Sequence, residues 1–275
     1  MNIWITGDFH GGLYTVKSFY ENTLKTIIQE QPDKENWLIC LGDFGANYYF
    51  DLRDQLFKQA LCEYPIKYFV IRGNHEQRAS DVAFLDGYAG WEEVEIFGNT
   101  CLRETKYPNI YYAKDEGGIY NIAGRKALVI PGAYSVDKYY RLSRGWSWFA
   151  EEQLTSLEMA DLSAVADGQH FDLVFSHTCP RKYQPTDLFL SCIDQARVDS
   201  TMEIWMDSLL GRMTFSVWCW GHYHADRVEA PHCEMFYNEV EHLEDVESRW
   251  QRYDETGELD WWIPKSPDFE KRKGV

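Results

Sequence analysis

No run in this chain approaches ~18 consecutive apolar residues, so no membrane-spanning helix is expected and no membrane partner with it. The N-terminus shows no basic region followed by an apolar stretch, so no secretory leader is expected either. There is no Cys-x-x-Cys pair. The seven cysteines, Cys40, Cys62, Cys101, Cys179, Cys192, Cys219 and Cys233, are odd in number and widely spaced. They read as reduced thiols in a cytoplasm, with neither a zinc ribbon nor a disulfide framework. Internal repeats, heptads and low-complexity tracts are absent. Positive charge is scarce: 27 basic residues stand against 44 acidic ones, a net charge of −17. Such a surface repels phosphate backbones at long range, which argues against extended nucleic acid as a partner. It leaves room for phosphate at a metal-lined cleft, where divalent cations would dominate the local charge.

What is present is enough for a folded core. The chain has 275 residues, 45% of them hydrophobic and 16% aromatic, which suits one large α/β domain or two small ones without a disulfide staple. Residues 2–6 form a short β-branched run that reads as a buried strand. Apolar residues at helical spacing follow over 13–31, then a strand at 37–41, a helix over 50–62 and a strand at 66–71. Strand and helix alternate as in a right-handed βαβαβ unit with a mostly parallel sheet. A helix is expected over 76–87. Residues 91–135 break into short runs separated by glycines and polar turns, and read as antiparallel strands of a second sheet. Residues 135–141 read as a polar, aromatic loop and 149–160 as a helix. Beyond these come a strand at 171–175, a helix near 198–210, a strand at 215–220 and a closing hairpin over 227–240. Residues 1–240 are then one domain, with 241–275 a charged tail packed on it.

The chemistry lies where these strands end. Asp8 and His10 follow the first strand in Thr6-Gly7-Asp8-Phe9-His10-Gly11-Gly12, two residues apart, so extended backbone would aim both to one side. A carboxylate and an imidazole facing the same way suit a divalent metal. The same grammar recurs in Leu41-Gly42-Asp43-Phe44-Gly45, Arg72-Gly73-Asn74-His75-Glu76, Phe175-Ser176-His177 and Trp220-Gly221-His222-Tyr223-His224. Five of the chain's 8 histidines fall in these stretches. In parallel sheets, functional groups gather beyond the carboxyl ends of the strands, which is where this sequence puts its ligands.

In this order the five stretches resemble the calcineurin-like metallophosphoesterase superfamily over Gly7 to His224. The resemblance implies a four-layer α/β/β/α sandwich of two mixed sheets flanked by helices. It implies that Asp8, His10 and His224 hold a first metal, that Asn74, His177 and His222 hold a second, and that Asp43 bridges the two. His75 would be a general acid or a phosphate contact. Two cations would polarise a phosphoryl oxygen and lower the pKa of a shared water for in-line attack. Ligands of nitrogen and oxygen without thiolate suit manganese first, with iron or zinc as alternatives.

The stretch from Arg72 to Arg78 also looks like the protein Ser/Thr phosphatase branch, where the second arginine holds phosphate. The chain departs from that branch twice: Asp43 is followed by Phe44-Gly45 where the branch has Arg-Gly, and His177 by Thr178 where it has Gly-Gly. Arg78 is kept as a candidate phosphate clamp. Tyr134, Asp137, Lys138 and Arg141 are candidates for a substrate-recognising lid, with Arg181 and Lys182 near enough to reach in. Cys179 reads as a bystander, and the tryptophans at 146, 148, 218 and 220 as core. The expected activity is hydrolysis of a phosphomonoester or the phosphoanhydride of a small nucleotide. Alternatives are a phosphodiesterase acting on cyclic nucleotides or nucleic-acid ends and, more remotely, a non-catalytic metal-binding scaffold. The sequence does not speak to an oligomeric partner.

Overall fold

A computed structural model describes residues 1–273. Strand β1 (Asn2–Thr6) leads into helices α1 (Tyr14–Phe19) and α2 (Lys25–Glu30), joined through a π-helical stretch at Tyr20–Leu24, so the helix expected over 13–31 is widened midway. Strand β2 (Asn36–Cys40), helix α3 (Leu52–Leu61) and strand β3 (Lys67–Val70) complete the βαβαβ unit, with β1, β2 and β3 parallel neighbours. Helix α4 (Ala79–Leu85) precedes strands β4 (Trp91–Ile96), β5 (Asn99–Glu104), β6 (Ile110–Tyr112), β7 (Gly118–Ile122) and β8 (Arg125–Ile130). Then come α5 (Lys138–Ser143), α6 (Ser156–Ala166), β9 (His170–Ser176), α7 (Thr201–Leu210) and β10 (Thr214–Trp220). The chain closes with β11 (Arg227–Ala230), β12 (Cys233–Met235), β13 (Glu241–His242), α8 (Leu243–Thr256) and α9 (Phe269–Arg272).

Two mixed sheets result, in the orders β13-β1-β2-β3-β6-β5-β4 and β11-β12-β10-β9-β8-β7. The period-2 alternation of side chains sorts each strand between two cores. From the first sheet Ile3, Ile5, Trp37, Ile39, Phe69 and Ile71 point inward and meet Leu173, Phe175, Val217 and Cys219 of the second. On the outer face of the first sheet, Trp4, Leu38, Tyr68 and Val70 pack with Val16, Phe19, Phe57 and Leu61 of α1 and α3. On the outer face of the second, Val174, Trp218 and Trp220 pack with Met159, Leu162, Met202 and Met206 of α6 and α7. This is the α/β/β/α layering. Emptying one such position, Phe69→Ala for example, would cost about 3–5 kcal/mol through lost burial and the cavity left behind.

Several local expectations need correction. The strands over 91–135 do not form one sheet. β6 pairs parallel to β3 (Tyr68 with Ile110, Val70 with Tyr112), which draws β4 and β5 onto the first sheet, while β7 and β8 join the second. Helix α6 starts at Ser156, not 149, because Thr155 and Glu158 form a reciprocal capping box that fixes its first turn. The supposed loop at 135–141 runs into helix α5. Residues 241–273 add β13 antiparallel to β1 and place Leu243, Val246 and Trp250 of α8 in the core between the sheets.

Candidate metal centre

The parallel strands β1, β2 and β3 of one sheet and β9 and β10 of the other end on the same side, and their loops carry the predicted ligands together. Asp8 and Asp43 are buried, as are Asn74 and His177, whereas His10 and His75 face a cleft and His224 is exposed. Three sets of possible ligand atoms converge: Asp8 with His10 and His224, Asp8 with Asp43 and His177, and His10 with Asp43 and His75. Within the first set His10 Nε2 lies 2.9 Å from His224 Nε2. Asp43 reaches toward both sides of the cluster, with Oδ2 3.9 Å from His10 Nδ1 and Oδ1 3.4 Å from His177 Nε2. The His222 ring is 5.0 Å from that of His177, and its backbone N–H donates to Asp8 at 3.1 Å.

Bringing five loops this close places unusual demands on the backbone. His10, Asp43, His222 and His224 all have positive φ (48°, 46°, 71° and 55°), a region that non-glycine residues seldom occupy and that tends to mark functional sites. The glycines of the motifs have a second cause. A Cβ at Gly42 would sit 1.9 Å from His177 Nδ1, and one at Gly73 would sit 2.1 Å from Asp43 Oδ1. A side chain at either position would displace one of the predicted ligands.

The orientation of these groups fits a cation. The Nδ1 of His177 donates to the Leu41 carbonyl at 2.8 Å, which leaves Nε2 facing Asn74 Oδ1 at 2.9 Å. Asn74 cannot turn its amide nitrogen there, because Nδ2 donates to Ser135 Oγ at 2.8 Å. Ser135 in turn donates to the buried Glu152 at 2.5 Å and accepts from Arg141. Two acceptors are therefore held face to face, an arrangement that needs a proton or a metal between them. The surrounding carboxylates draw positive charge to this point. Burial pushes the Asp8 carboxyl up to about 8 against the pull of His177. Burial disfavours the His177 cation, yet Asp43 and Asp8 outweigh it and hold the ring at about 9. Burial also opposes the Asp43 anion, but His177, His75 and His10 surround it and keep it well below the usual range. Burial and His10 push His224 down to about 4, so its ring is neutral.

A calcineurin-like phosphoesterase family profile matches residues 1–226, which include every one of these groups. The chain belongs to the calcineurin-like phosphoesterases. Members of this family are metal-dependent phosphoester hydrolases, and this calcineurin-like chain is an enzyme of that kind with a buried Asp/His cluster suited to metal. A comparison with curated proteins finds no match. Among the described residues no helix is long and apolar enough to cross a membrane.

Beside the cluster opens a cleft of about 540 Å³, floored by His10 and His75. Of the substrate-binding candidates, only Arg141 lines it, together with Asp137. The structure places Arg78 elsewhere. Its guanidinium pairs with Glu158 and donates to the Glu151 and Gln153 carbonyls, so it ties the loop before α6 to the loop after β3 and is not free to clamp phosphate. Lys138 lies 3.8 Å over the Trp148 ring, and neither it nor Tyr134 lines the cleft. Nor do Arg181 and Lys182. Cys179 is buried, and burial pushes its thiol well up, which suits a bystander. Trp218 and Trp220 are core, but Trp146 is exposed and forms part of the cleft.

Sequence reasoning missed several contributors. Glu76 is buried and accepts from the Gly45 and Gly73 backbone N–H groups at 2.6 and 3.2 Å, which brace the loops of Asp43 and Asn74 against each other. Its place inside the Asn-His-Glu stretch was the available signal. Ser135 and Glu152 orient Asn74 through contacts that no local pattern announces. The cleft residues Tyr48, Tyr49 and Arg53 directly follow the Asp43 motif, and that aromatic run could have marked them.

Proposed function

We propose that this phosphoesterase holds two divalent cations, manganese first with iron or zinc as alternatives, and hydrolyses a phosphomonoester or a small nucleotide phosphoanhydride. One observation carries the reading: Asp43 lies within reach of both His10 and His177, which belong to opposite sides of the cluster. In this assignment Asp8, His10 and His224 hold one cation, Asn74, His177 and His222 the other, and Asp43 spans both. When bound, such cations supply charge stabilisation for the phosphoryl oxygens and acidify water.

The chain's own residues do the rest. His75 presents its ring to the cleft with Nε2 3.9 Å from Asp137. It is suited to protonating the departing oxygen, which is typically worth ~100-fold or more. Burial lowers its affinity for the proton. Arg141, buried and paired with Asp137 at 3.0 Å, donates to the Ser135 hydroxyl that also holds Asn74. The acidic surface supports a small phosphorylated substrate over extended nucleic acid. All seven cysteines are unpaired, which supports a reducing, cytoplasmic setting.

The test compares p-nitrophenyl phosphate with bis-p-nitrophenyl phosphate in added manganese, using wild type and His75→Ala. Faster turnover of the monoester, lost in the variant, supports the reading. Preference for the diester would replace it with a phosphodiesterase.

A further inference from the structure

Resting on the phosphoesterase reading, we propose that the cleft selects a nucleotide, whose base stacks on the exposed rings of Trp146 and Tyr49 while its phosphate lies at the metal centre. The cleft is much larger than one phosphate requires, and its roughly 540 Å³ falls in the size range of small-molecule sites. It is walled from two directions: the loop after β2 and the first turn of α3 bring Tyr48, Tyr49 and Arg53, and the segment around α5 brings Arg141 and Trp146.

The rings are ordered from the centre outward. Tyr48 lies nearly parallel to His75, with ring centroids 5.9 Å apart and planes 22° apart. Tyr49 meets Tyr48 edge-on at 4.7 Å, and Trp146 meets Tyr140 in the same way at 5.7 Å. Tyr49 is 42% and Trp146 54% exposed, so two large rings stand open to solvent on one cleft.

Neither wall is loosely held. The Asp54 carboxylate accepts the backbone N–H groups of Tyr48, Tyr49 and Phe50 at 3.1, 2.9 and 2.7 Å. The Trp146 N–H donates to the Arg141 carbonyl at 2.9 Å. Rings fixed in place lose little entropy on stacking a flat partner. Two guanidinium groups sit in the cleft wall, each already paired: Arg53 with Asp51 at 2.7 Å, and Arg141 with Asp137 at 3.0 Å and Glu152 at 3.9 Å. The Arg53 guanidinium already lies 3.5 Å over the Tyr49 ring, the geometry of a cation stacked on an aromatic face. Aromatic rings lining a cleft beside the Asp/His cluster suit a substrate that carries a flat ring.

Adenosine 5′-monophosphate and ribose 5-phosphate differ only by the base, so the two together isolate the stacking contribution. Wild type should turn over the nucleotide with a kcat/KM about tenfold higher or more, the size expected for one stacked base, and the difference should lie in KM. In Trp146→Ala the preference should collapse, and Trp146→Phe should restore much of it. Titration of tryptophan fluorescence with each compound gives a readout independent of turnover: quenching by the nucleotide at lower concentration than by the sugar phosphate, and lost in Trp146→Ala, is the expected result. Equal KM values and equal titrations for the two compounds would overturn the proposal. If neither compound is hydrolysed but the nucleotide alone quenches Trp146, the base site stands and the phosphoesterase reading of this substrate class falls.

Discussion

Asp43 holds the backbone of His75: its Oδ1 accepts the His75 N–H at 2.8 Å. One carboxylate from the loop after β2 thus reaches both the metal cluster and the proposed acid on the loop after β3. Charge and geometry can be separated at this position, because asparagine keeps the accepting oxygen and loses the charge.

Asp43→Asn is expected to keep the fold and the His75 loop while bound metal falls at both positions. Asp43→Ala loses the loop contact as well and should also be less stable, by roughly 1–3 kcal/mol. Metal analysis beside thermal unfolding checks both. Full metal content in Asp43→Asn would remove Asp43 from the bridging role.

His75→Ala should lower kcat for the monoester by roughly 100-fold or more, the usual effect of losing a general acid. Its metal content should match wild type, since the ligands assigned to both cations remain. A parallel loss of metal would make His75 a ligand and not an acid.

Arg78→Ala tests a role the sequence suggested and the fold reassigns. Because Arg78 bonds the charged Glu158 and two backbone carbonyls, its loss should cost roughly 2 kcal/mol of stability. KM for the substrate should change little. A large rise in KM without loss of stability would return Arg78 to the phosphate.

How far the sequence reached follows from what each feature depends on. The cluster of candidate ligands was legible because a strand that ends in glycine and then Asp, Asn or His is a local pattern, and five copies identify one another. The glycines were legible for the same reason, although only the fold shows that Gly42 makes room for His177. The partner of Arg78 was not legible: Glu158 is 80 residues away and on another element. Nor was the sheet of β4 to β6, since a hairpin's own alternation does not say which third strand it joins. The start of α6 was legible in Thr155-Ser156-Leu157-Glu158, whose spacing is that of a capping box.

Glu203 on α7 supplies a pH prediction. Burial raises its carboxyl to about 7 from an ordinary value of 4.5, and Thr178 Oγ1 donates to it at 2.8 Å. The folded state therefore holds a proton that the unfolded chain releases above pH 4.5. Its contribution is fully present below that pH and is lost as pH rises through about 7, at up to about 1.4 kcal/mol per pH unit. Glu203→Gln removes this dependence, so the variant should unfold at a higher temperature than wild type at pH 8, with the gap closing toward pH 5. Parallel melting profiles at the two pH values would contradict the raised carboxyl.

The central claim, a pair of cations spanned by Asp43, is tested most directly by counting metal. Wild-type protein loaded with manganese and freed of excess should retain two ions per chain by plasma emission spectrometry. A reproducible count of one or none at saturating manganese, with iron and zinc giving no more, would contradict the account.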